Sequence, residues 1–492
     1  MFKKFLLILF IFVLLNAMNF AKSAPKIVKL GIKSDSIFDL CTDNTNKVHI
    51  IWAKSGHLYY GQIKSNRVVN RELIPDSGDF QMAFVRPRIT ARPDGSSIHL
   101  TWMKPKPGQE LIHVWKDKKG WHREVVWKSS YGYYVSVPVA VEDLTGTVHI
   151  IAQLWKSESD GRLLSKIKYW YKRPGGAWNA GWTLHEGYKK WRDTAMFVDS
   201  KGGVHGVFKS GSDPGKYIYA PNGKLLKDYD IIDIPIAPGE NAKCVSFGDL
   251  FVTKSGDVHH AFMTYDRKTI DYAVKKAGTD KWTNYYTISV DPLVLCEEEN
   301  YKNPWPGVAV ASDNTVYAIW ADMQCPHKKA NRITLAIKDN GKWRKKILTD
   351  DADIDEEGKP AITANEIGVY AIYREEETKD IYLFTVVYKA EVMPPLNPTY
   401  FTSYKRTIFK YVYSNNLSWK KNPENEENNL EIKSFEIYYV NEEGNKVLLG
   451  SFDSNIFNYL HYNINKDHDY QYEIYSMDKE GNKSKIVKFV KE

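Results

Sequence analysis

One short pattern recurs along this chain of 492 residues. Residues 48–52 read VHIIW, a β-branched residue and a histidine followed by three apolar residues. Six later segments repeat it with His or Tyr in second place, namely 98–102 (IHLTW), 148–152 (VHIIA), 204–208 (VHGVF), 258–262 (VHHAF), 316–320 (VYAIW) and 369–373 (VYAIY). Successive second residues are 50, 50, 56, 54, 58 and 53 positions apart.

A repeat of about fifty residues is typical of a β-propeller, in which each repeat forms one four-stranded blade. Each copy follows a strand and a tight turn, as in residues 86–95 (RPRITARPDG). An aromatic third strand comes next, and then a turn that contains Gly and Trp, as in residues 118–121 (KKGW). We therefore predict an all-β protein whose first domain, residues 24–390, is a seven-bladed β-propeller.

The last repeat contains only three strand-like segments and ends at residues 386–388. A segment of strand character, residues 26–32 (KIVKLGI), stands before the first repeat. Pairing these two segments would complete the last blade and remove two free sheet edges. The closing blade is therefore predicted to be split between the two ends of the domain.

The first 23 residues have the features of a secretory signal peptide. A basic start with Lys3 and Lys4 precedes an apolar run over residues 5–15, and small residues lie at 21–23. The run is too short for a membrane span. We therefore expect a secreted or periplasmic protein that has no transmembrane span once the signal is removed.

Charge and composition limit the partners. Loss of Lys3, Lys4 and Lys22 with the signal lowers the formal net charge from +8 to +5, a mild bias for this length. The chain has no distinct basic arm, and export also argues against a nucleic acid partner. The expected partner is a glycan or an extracellular protein, bound by a monomer that requires no cofactor.

Composition changes after a proline-rich segment, residues 391–398, which we interpret as a linker. Residues 399–492 resemble a fibronectin type III module. The resemblance rests on Trp419 in the second strand, Tyr470 at the tyrosine-corner position and a final turn at 478–484 (DKEGNKS). Such modules are spacers or adhesive arms, so this one indicates no chemistry.

Residues 26–390 resemble the sialidase-like BNR-repeat superfamily of β-propellers. The resemblance rests on the repeat G-x-V-H-h-h-W, where h is an apolar residue, and on the Gly/Trp turn before each outer strand. The turns at Asp117 and Asp339 keep the Asp, Gly and Trp of that family's Asp box but shorten its spacing. The three arginines of true sialidases cannot be matched, although the chain offers Arg86, Arg88, Arg192 and Arg374. The resemblance therefore implies the fold more firmly than the activity.

The repeated histidines occur once per blade, and blades are arranged radially, so we expect them to be structural. Loop length is a better guide to a site. Turns on one face are short, whereas connections on the other face are long and uneven, and function concentrates on such loops. The candidate ligand-binding residues on the long-loop face combine aromatic rings with charged and amide groups, and they are Arg86, Arg88, Tyr131, Tyr133, Trp191, Arg192, Glu298, Asn300 and Trp305.

Aromatic rings beside charged groups suit sugars, whose apolar faces stack while their hydroxyls form hydrogen bonds. Three classes of function stay open. The first is an exported protein that recognises a glycan or another extracellular ligand. The second is a glycan-degrading enzyme, either a glycoside hydrolase or a polysaccharide lyase, whose catalytic residues the motifs do not identify. The third is a structural or assembly role in the cell envelope.

Two further expectations concern the long loops. Asp351, Asp353 and Asp355 alternate as in a calcium-binding loop, although Gly358 comes later than in an EF-hand, so Ca²⁺ is an optional ligand. Cys296 and Cys325 lie in neighbouring loops of one face and are expected to form a disulfide in an oxidising compartment. With that bond, Cys41 and Cys244 should stay reduced and buried. A pairing of Cys244 with Cys296 is the rival, and four free thiols are the third alternative.

Overall fold

The structure is a computed structural model that describes residues 25–35, 37–79, 87–104, 109–129, 133–188, 193–209, 215–234, 246–264, 269–283, 286–289, 306–323, 331–339, 341–350, 359–375, 377–388, 392–408, 410–423, 425, 431–441, 443–479 and 481–492. The chain divides into two compact units, Met1–Tyr388 and Lys389–Glu492, called unit 1 and unit 2 below. Within those ranges, no helix is long and apolar enough to cross a membrane.

In the described residues, unit 1 contains seven four-stranded antiparallel sheets. Strand β1 (Lys26–Lys33) comes first in the chain. Sheets 1 to 4 are, in chain order, β2 (Phe38–Thr42), β3 (Val48–Lys54), β4 (His57–Lys64) and β5 (Arg67–Leu73); β6 (Arg88–Ala91), β7 (Ile98–Lys104), β8 (Glu110–Asp117) and β9 (Gly120–Lys128); β10 (Tyr134–Glu142), β11 (Val148–Ser157), β12 (Leu163–Lys172) and β13 (Trp182–Tyr188); and β14 (Asp193–Val198), β15 (Val204–Lys209), β16 (Lys216–Ala220) and β17 (Ile231–Asp233).

Sheets 5 to 7 follow the same order of strands. They are β18 (Ser246–Val252), β19 (Val258–Thr264), β20 (Thr269–Lys275) and β21 (Tyr286–Thr287); β22 (Gly307–Val310), β23 (Val316–Met323), β24 (Asn331–Asp339) and β25 (Lys342–Thr349); and β26 (Ala361–Ala364), β27 (Gly368–Arg374) and β28 (Asp380–Val387), to which β1 is added. Short 3₁₀ helices lie between β5 and β6, at Ser77–Asp79, and between β16 and β17, at Leu226–Asp228.

The repeated pattern forms the second strand of every sheet. In sheet 1, six of the seven residues of β3 are buried, and only Lys54 at its end is exposed. A strand in this position has another sheet packed on each of its faces, so both sets of alternating side chains must be apolar or internally hydrogen-bonded. This requirement explains why buried residues follow one another along the repeated pattern instead of alternating with exposed ones.

The seven sheets form a closed ring. Each innermost strand contacts the innermost strand of the next sheet, from β2 through β6, β10, β14, β18 and β22 to β26, and β26 contacts β2. Strand β1 pairs antiparallel with β28, from Lys26 opposite Thr385 to Lys33 opposite Asp380, and it buries Leu30 and Ile32. A closed ring of four-stranded sheets is the architecture of a β-propeller.

Threonine hydroxyls link neighbouring innermost strands around part of this ring. Thr42 Oγ1 donates to the carbonyl of Ala364 at 2.8 Å, which joins sheets 1 and 7. Thr90 Oγ1 donates to the carbonyl of Ala140 at 2.5 Å, which joins sheets 2 and 3. The inner edge of an innermost strand has no fifth strand beside it, so these hydroxyls satisfy backbone groups that the sheet leaves unpaired.

The Gly/Trp turns provide the contacts between the outer parts of neighbouring sheets. Each Trp packs edge-on against a ring of the preceding sheet, at centroid distances of 5.6 Å for Trp121 and Tyr60, 5.6 Å for Trp178 and His113, 5.5 Å for Trp282 and Tyr217, and 5.3 Å for Trp343 and Tyr272. Edge-to-face pairs of this kind are the favoured geometry of aromatic rings. The second recurring motif of the sequence therefore joins sheets to each other.

Unit 2 is a sandwich of two four-stranded sheets. Its strands are β29 (Leu396–Arg406), β30 (Tyr411–Lys420), β31 (Ile432–Val440), β32 (Lys446–Asp453), β33 (Asn458–Tyr462), β34 (Gln471–Asp478), β35 (Val487–Lys488) and β36 (Val490–Lys491). The sheet orders are β33-β30-β29-β36 and β32-β31-β34-β35. Trp419 and Phe435 lie in the shared core together with Val392, so part of the segment predicted to be a linker packs on this unit. The Tyr470 hydroxyl accepts a hydrogen bond from the Asn465 N–H at 2.9 Å.

Candidate ligand-binding site

The ring of unit 1 has two different ends. The end that carries the connections between first and second strands, and between third and fourth strands, is called the turn end below. The opposite end, where each sheet joins the next and where second and third strands join, is called the loop end. Most of the residues outside the described ranges belong to loop-end connections, such as 80–86, 235–245 and 290–305.

Histidines of the repeat are buried near the turn end, each inside its own sheet. In sheet 1, the Tyr60 hydroxyl lies 2.8 Å from His49 Nδ1, and Asp43 Oδ2 lies 3.2 Å from His49 Nε2. The same His–Tyr contact, at 2.5 to 2.8 Å, recurs in His149–Tyr169, His205–Tyr217 and His259–Tyr272. The four histidines are therefore separated from each other and already satisfied by partners of their own sheet.

Asp143 shows how a turn-end carboxylate organises its surroundings. Its Oδ1 accepts hydrogen bonds from the Thr145 and Thr147 N–H groups at 2.9 Å, and its Oδ2 accepts one from the Gly223 N–H at 2.9 Å. Burial alone would raise the pKa of Asp143, but the hydrogen bond from His149 and those of the turn outweigh it and hold the pKa at about 2. Because Gly223 belongs to sheet 4, this carboxylate also joins two sheets.

Sheet 2 departs from the common arrangement. His99 Nδ1 lies 3.0 Å from His113 Nε2, and this pair lies between Glu142, 2.8 Å from His99 Nε2, and Glu124, 3.1 Å from His113 Nδ1. Burial lowers the pKa of His113 to about 4, although the hydrogen bond with Glu124 opposes the shift.

Arg88, one of the predicted ligand-binding residues, lies in the central channel. Its Nη2 is 2.6 Å from Asp249 Oδ2 in sheet 5, and its Nε is 3.7 Å from Asp39 Oδ2 in sheet 1. Asp39 Oδ2 also accepts a hydrogen bond from the Ile89 N–H at 3.2 Å. The guanidinium therefore neutralises two carboxylates and connects three sheets of the ring.

The channel contains a cavity of about 400 Å³. One apolar residue from each innermost strand contributes to its wall, in order Leu40, Ile89, Val139, Met196, Leu250, Val308 and Ile362. Polar turn residues such as Asn44, Lys254 and Glu366 line it towards the turn end. Cys41, which was expected to stay reduced, also lines this cavity and is a free thiol whose pKa is raised by burial.

Tyr133, another predicted residue, belongs to a surface at the loop end of sheet 3. At ten residues each, β11 and β12 are the longest strands of unit 1 within the described ranges, and they stay paired out to Ser157 and Leu163. Lys156 Nζ lies 5.1 Å from the centre of the Tyr133 ring, and the Arg162 guanidinium lies 4.4 Å from the centre of the Tyr188 ring. Tyr188 is half exposed. This group of residues, with Lys166, is called the sheet 3 surface below.

Every cation of the sheet 3 surface is matched by an acid. Lys156 pairs with Glu158 at 3.0 Å, Lys166 pairs with Glu186 at 3.0 Å, and Arg162 pairs with Asp160 at 2.5 Å. Behind the surface, Tyr134 stacks on Trp155 at a centroid distance of 4.4 Å. The surface is therefore aromatic, electrically balanced and held in place by contacts among its own residues. Sequence reasoning did not identify Lys156, Arg162 and Tyr188 as site residues.

The remaining predictions fall outside the described residues, so the structure neither brings these side chains together nor separates them. This applies to seven candidate ligand-binding residues, to the candidate calcium ligands and to the candidate disulfide, namely Arg86, Tyr131, Trp191, Arg192, Glu298, Asn300, Trp305, Asp351, Asp353, Asp355, Cys296 and Cys325. Among the side chains that the structure does describe, no group of three or more His, Cys, Asp and Glu residues is placed to hold a metal ion.

No protein family model and no curated protein matches this chain. Solved structures give weak similarities. A streptogramin B lyase has a TM-score of 0.45 at 12% identity, covering 75% of this chain and 100% of that one. The polysaccharide lyase Uly1 has a TM-score of 0.43 at 11% identity, covering 73% and 91% of the two chains. An arginine-to-alanine triple mutant of AofleA from Arthrobotrys oligospora has a TM-score of 0.42 at 13% identity, covering 66% and 90%. At TM-scores below 0.5, these similarities carry no argument about function.

Proposed function

We propose that this protein binds a carbohydrate ligand at the loop end of its β-propeller, and that the sheet 3 surface forms part of the binding site. The observation that carries the proposal is the pairing of Tyr133 with Lys156 and of Tyr188 with Arg162 at the loop end of sheet 3. Aromatic faces with a few fixed polar groups around them are the usual composition of a site for small polar ligands.

Charge balance favours a neutral, hydroxyl-rich ligand over a polyanion. Three cations face three acids on the sheet 3 surface, so the surface lacks the excess positive charge that attracts a polyanion. Each ion pair nevertheless presents both hydrogen-bond donors and acceptors. Sugar hydroxyls are donors and acceptors at once, and their apolar ring faces can stack on tyrosine.

Tyr188 and Tyr286 provide a matched test of this proposal. Both side chains are 50% exposed, and each ring has a cation at 4.4 Å, from Arg162 for Tyr188 and from Lys338 for Tyr286. Tyr286 lies on the outer strand of sheet 5, outside the sheet 3 surface. A glycan array identifies a ligand, and calorimetry then compares Tyr188→Ala with Tyr286→Ala.

Loss of one stacking ring should weaken binding by about tenfold. Tyr188→Ala should show this loss, and Tyr133→Ala a similar one, while Tyr286→Ala binds like the wild type. Equal effects of the two exposed tyrosines would remove the support for this site. An assay for reducing ends and unsaturated products on the same glycans tests the glycan-degrading alternative, because turnover there would make the protein an enzyme.

We further propose that unit 1 is a seven-bladed, sialidase-like propeller with a split closing blade and that unit 2 is a fibronectin type III module. The ring of seven sheets and the pairing of β1 with β28 support the first. Trp419 in the core and the Tyr470 hydrogen bond to Asn465 support the second. A mature chain that begins after Ser34 should aggregate, because β28 then becomes a free edge. If the shortened chain were a soluble monomer with the melting temperature of the complete mature chain, the split blade would be contradicted.

Export, the calcium site and the disulfide stay proposals that rest on the sequence. N-terminal sequencing of protein recovered from outside the cytoplasm should place the first residue near position 24. Peptide mapping of that non-reduced protein should give a Cys296–Cys325 crosslink, and two free thiols there would end this proposal. A calcium-dependent rise in melting temperature that is lost in Asp353→Asn would support a site at Asp351, Asp353 and Asp355.

A further inference from the structure

The hairpin of β29 and β30 in unit 2 ends in an apolar tip. Its turn is closed by a hydrogen bond from the Thr407 N–H to the Lys410 carbonyl at 2.9 Å, and Thr407 Oγ1 accepts one from the Lys410 N–H at 3.0 Å. Ile408 stands in this turn with 94% of its surface exposed, the highest value of any large apolar residue that the structure describes. In the sequence Ile408 is followed by a second apolar residue, Phe409, which lies outside the described residues.

Two tyrosines stand one step behind the tip. Tyr404 is 66% exposed and Tyr411 is 51% exposed, and their rings meet edge to face at 5.4 Å. Tyr400, four residues before Tyr404, is already buried in the core of the sandwich. At about 3.3 Å per residue, the ribbon from Tyr400 to Arg406 reaches on the order of 20 Å. The apolar tip is therefore carried away from the core on a narrow two-stranded support.

The tip has a basic collar. Lys405, Arg406 and Lys410 are all exposed, and none of the three forms an ion pair in the described part of the chain. Residues 396–420 contain no Asp or Glu, whereas the rest of unit 2 carries both signs of charge. The hairpin therefore presents uncompensated positive charge directly around its apolar tip.

Two other turns of unit 2 have the usual polar composition. The turn after β31 contains Asn441 and Gly444, and the Asn445 N–H donates to Asn441 Oδ1 at 2.8 Å. The turn after β34 contains Asp478 and Gly481, and the Asn482 N–H donates to Asp478 Oδ1 at 2.8 Å. Turn positions favour such residues, whereas this hairpin end groups the exposed Ile408 with the exposed Tyr404 and Tyr411, and grouped apolar exposure of this kind is typical of an interaction site.

We propose that the tip of the β29–β30 hairpin inserts into the surface of a lipid bilayer that contains anionic lipids. Ile408 would enter the boundary between headgroups and acyl chains, where apolar side chains are favoured. Tyr404 and Tyr411 would lie at headgroup depth, which suits rings that carry a polar end. Lys405, Arg406 and Lys410 would contact the anionic headgroups.

A bilayer fits these features better than a protein does. A stable protein interface buries about 800 Å² on each partner, whereas the tip offers a point of contact rather than a broad face. Membrane anchors need little area, since one apolar insertion combined with a few basic residues gives reversible attachment. This inference does not depend on the carbohydrate site of unit 1.

Vesicle flotation of the full mature protein tests the proposal with two compositions, phosphatidylcholine alone and phosphatidylcholine with phosphatidylglycerol. Three basic residues should raise the partition onto the anionic vesicles by on the order of a hundredfold at low salt. Ile408→Asp should abolish most of this partition. Replacing Lys405, Arg406 and Lys410 together by Ser should make the two kinds of vesicle equivalent.

Ile456→Asp is the matched control, because Ile456 is also an exposed isoleucine near a turn of unit 2, at 38% exposure. It should bind vesicles like the wild type. The proposal fails if the wild type does not distinguish the two vesicles, or if Ile408→Asp binds as well as Ile456→Asp. It also fails if the wild type self-associates without lipid and Ile408→Asp prevents this, since the tip would then be a contact between protein chains.

Discussion

The turn end and the loop end of the propeller use similar residue types in opposite ways. At the turn end, Asp143 and His149 are fully buried and bonded to groups of the scaffold. At the loop end of sheet 3, Asp160 and Arg162 are about half exposed and bonded mainly to each other. The first arrangement recurs in sheets 1, 3 and 4, and the second lies at the loop end of sheet 3.

This contrast gives a criterion that separates structural from functional residues in a repeat protein. A residue that recurs from repeat to repeat serves what the repeats share, which is the internal bonding and packing of each sheet. A residue that departs from the repeat and stays exposed is free to contact a ligand. The histidines belong to the first kind, and Tyr188 belongs to the second.

The largest effect should come from removing a turn-end carboxylate. Asp143→Ala leaves several buried donors without a partner and should lower the free energy of unfolding of unit 1 by about 3–5 kcal/mol. Asp94→Ala changes the corresponding turn of sheet 2, where the carboxylate is 44% exposed, and should cost less than about 1 kcal/mol. Urea unfolding of both variants checks this. Equal losses of unfolding free energy would contradict the expected difference between the buried and the exposed carboxylate.

A pH series measures how the buried His260 contributes to the free energy of unfolding. Burial lowers the pKa of His260 to about 4, although a hydrogen bond to the Asp249 carbonyl opposes the shift. An unfolded histidine takes up its proton near pH 6.5, so between about pH 6.5 and 4 the unfolded chain binds a proton that the folded chain refuses. This stability is therefore complete above pH 6.5 and is lost as the pH falls, by about 3 kcal/mol across the window.

In His260→Asn, whose amide can still donate to the Asp249 carbonyl, the fall in unfolding free energy between pH 7 and 4.5 should be smaller than in the wild type. Other buried histidines, such as His113 and His259, keep their own contribution. Carbohydrate affinity should stay constant from pH 7 to 5.5, because the sheet 3 surface contains no histidine. An unchanged slope in His260→Asn would show that this group does not govern acid stability.

A smaller loss of stability than for Asp143→Ala is expected for Arg88, which was predicted to bind ligand and lies inside the channel. Arg88→Met removes the cation beside Asp39 and Asp249 and should cost about 2 kcal/mol, since Asp249 is partly exposed to solvent. Combining it with Asp249→Asn should recover part of the loss in a double-mutant cycle. Carbohydrate affinity should be unchanged, and a large loss of affinity would instead place Arg88 in the binding site.

Much of the scaffold could be predicted from the repeat, including the second strand of each sheet and the separation of the histidines. The contacts between sheets were harder to predict because they join residues that are distant in the sequence. Arg88 and Asp249 are 161 positions apart, and Glu142 replaces the turn carboxylate of sheet 2 from the neighbouring sheet. Connections at the loop end were expected to be long, but β11 and β12 stay paired as far as Ser157 and Leu163, so the connection between these two strands is short.

Hydrogen–deuterium exchange with the best ligand from the glycan array locates the carbohydrate site on the propeller. Amides of residues 133–134, 155–164 and 183–188 should exchange more slowly when the ligand is bound, while those of the turn-end residues 143–149 and 199–205 should not change. Protection confined to the turn end, or no protection at the loop end of sheet 3, would contradict carbohydrate binding at the sheet 3 surface.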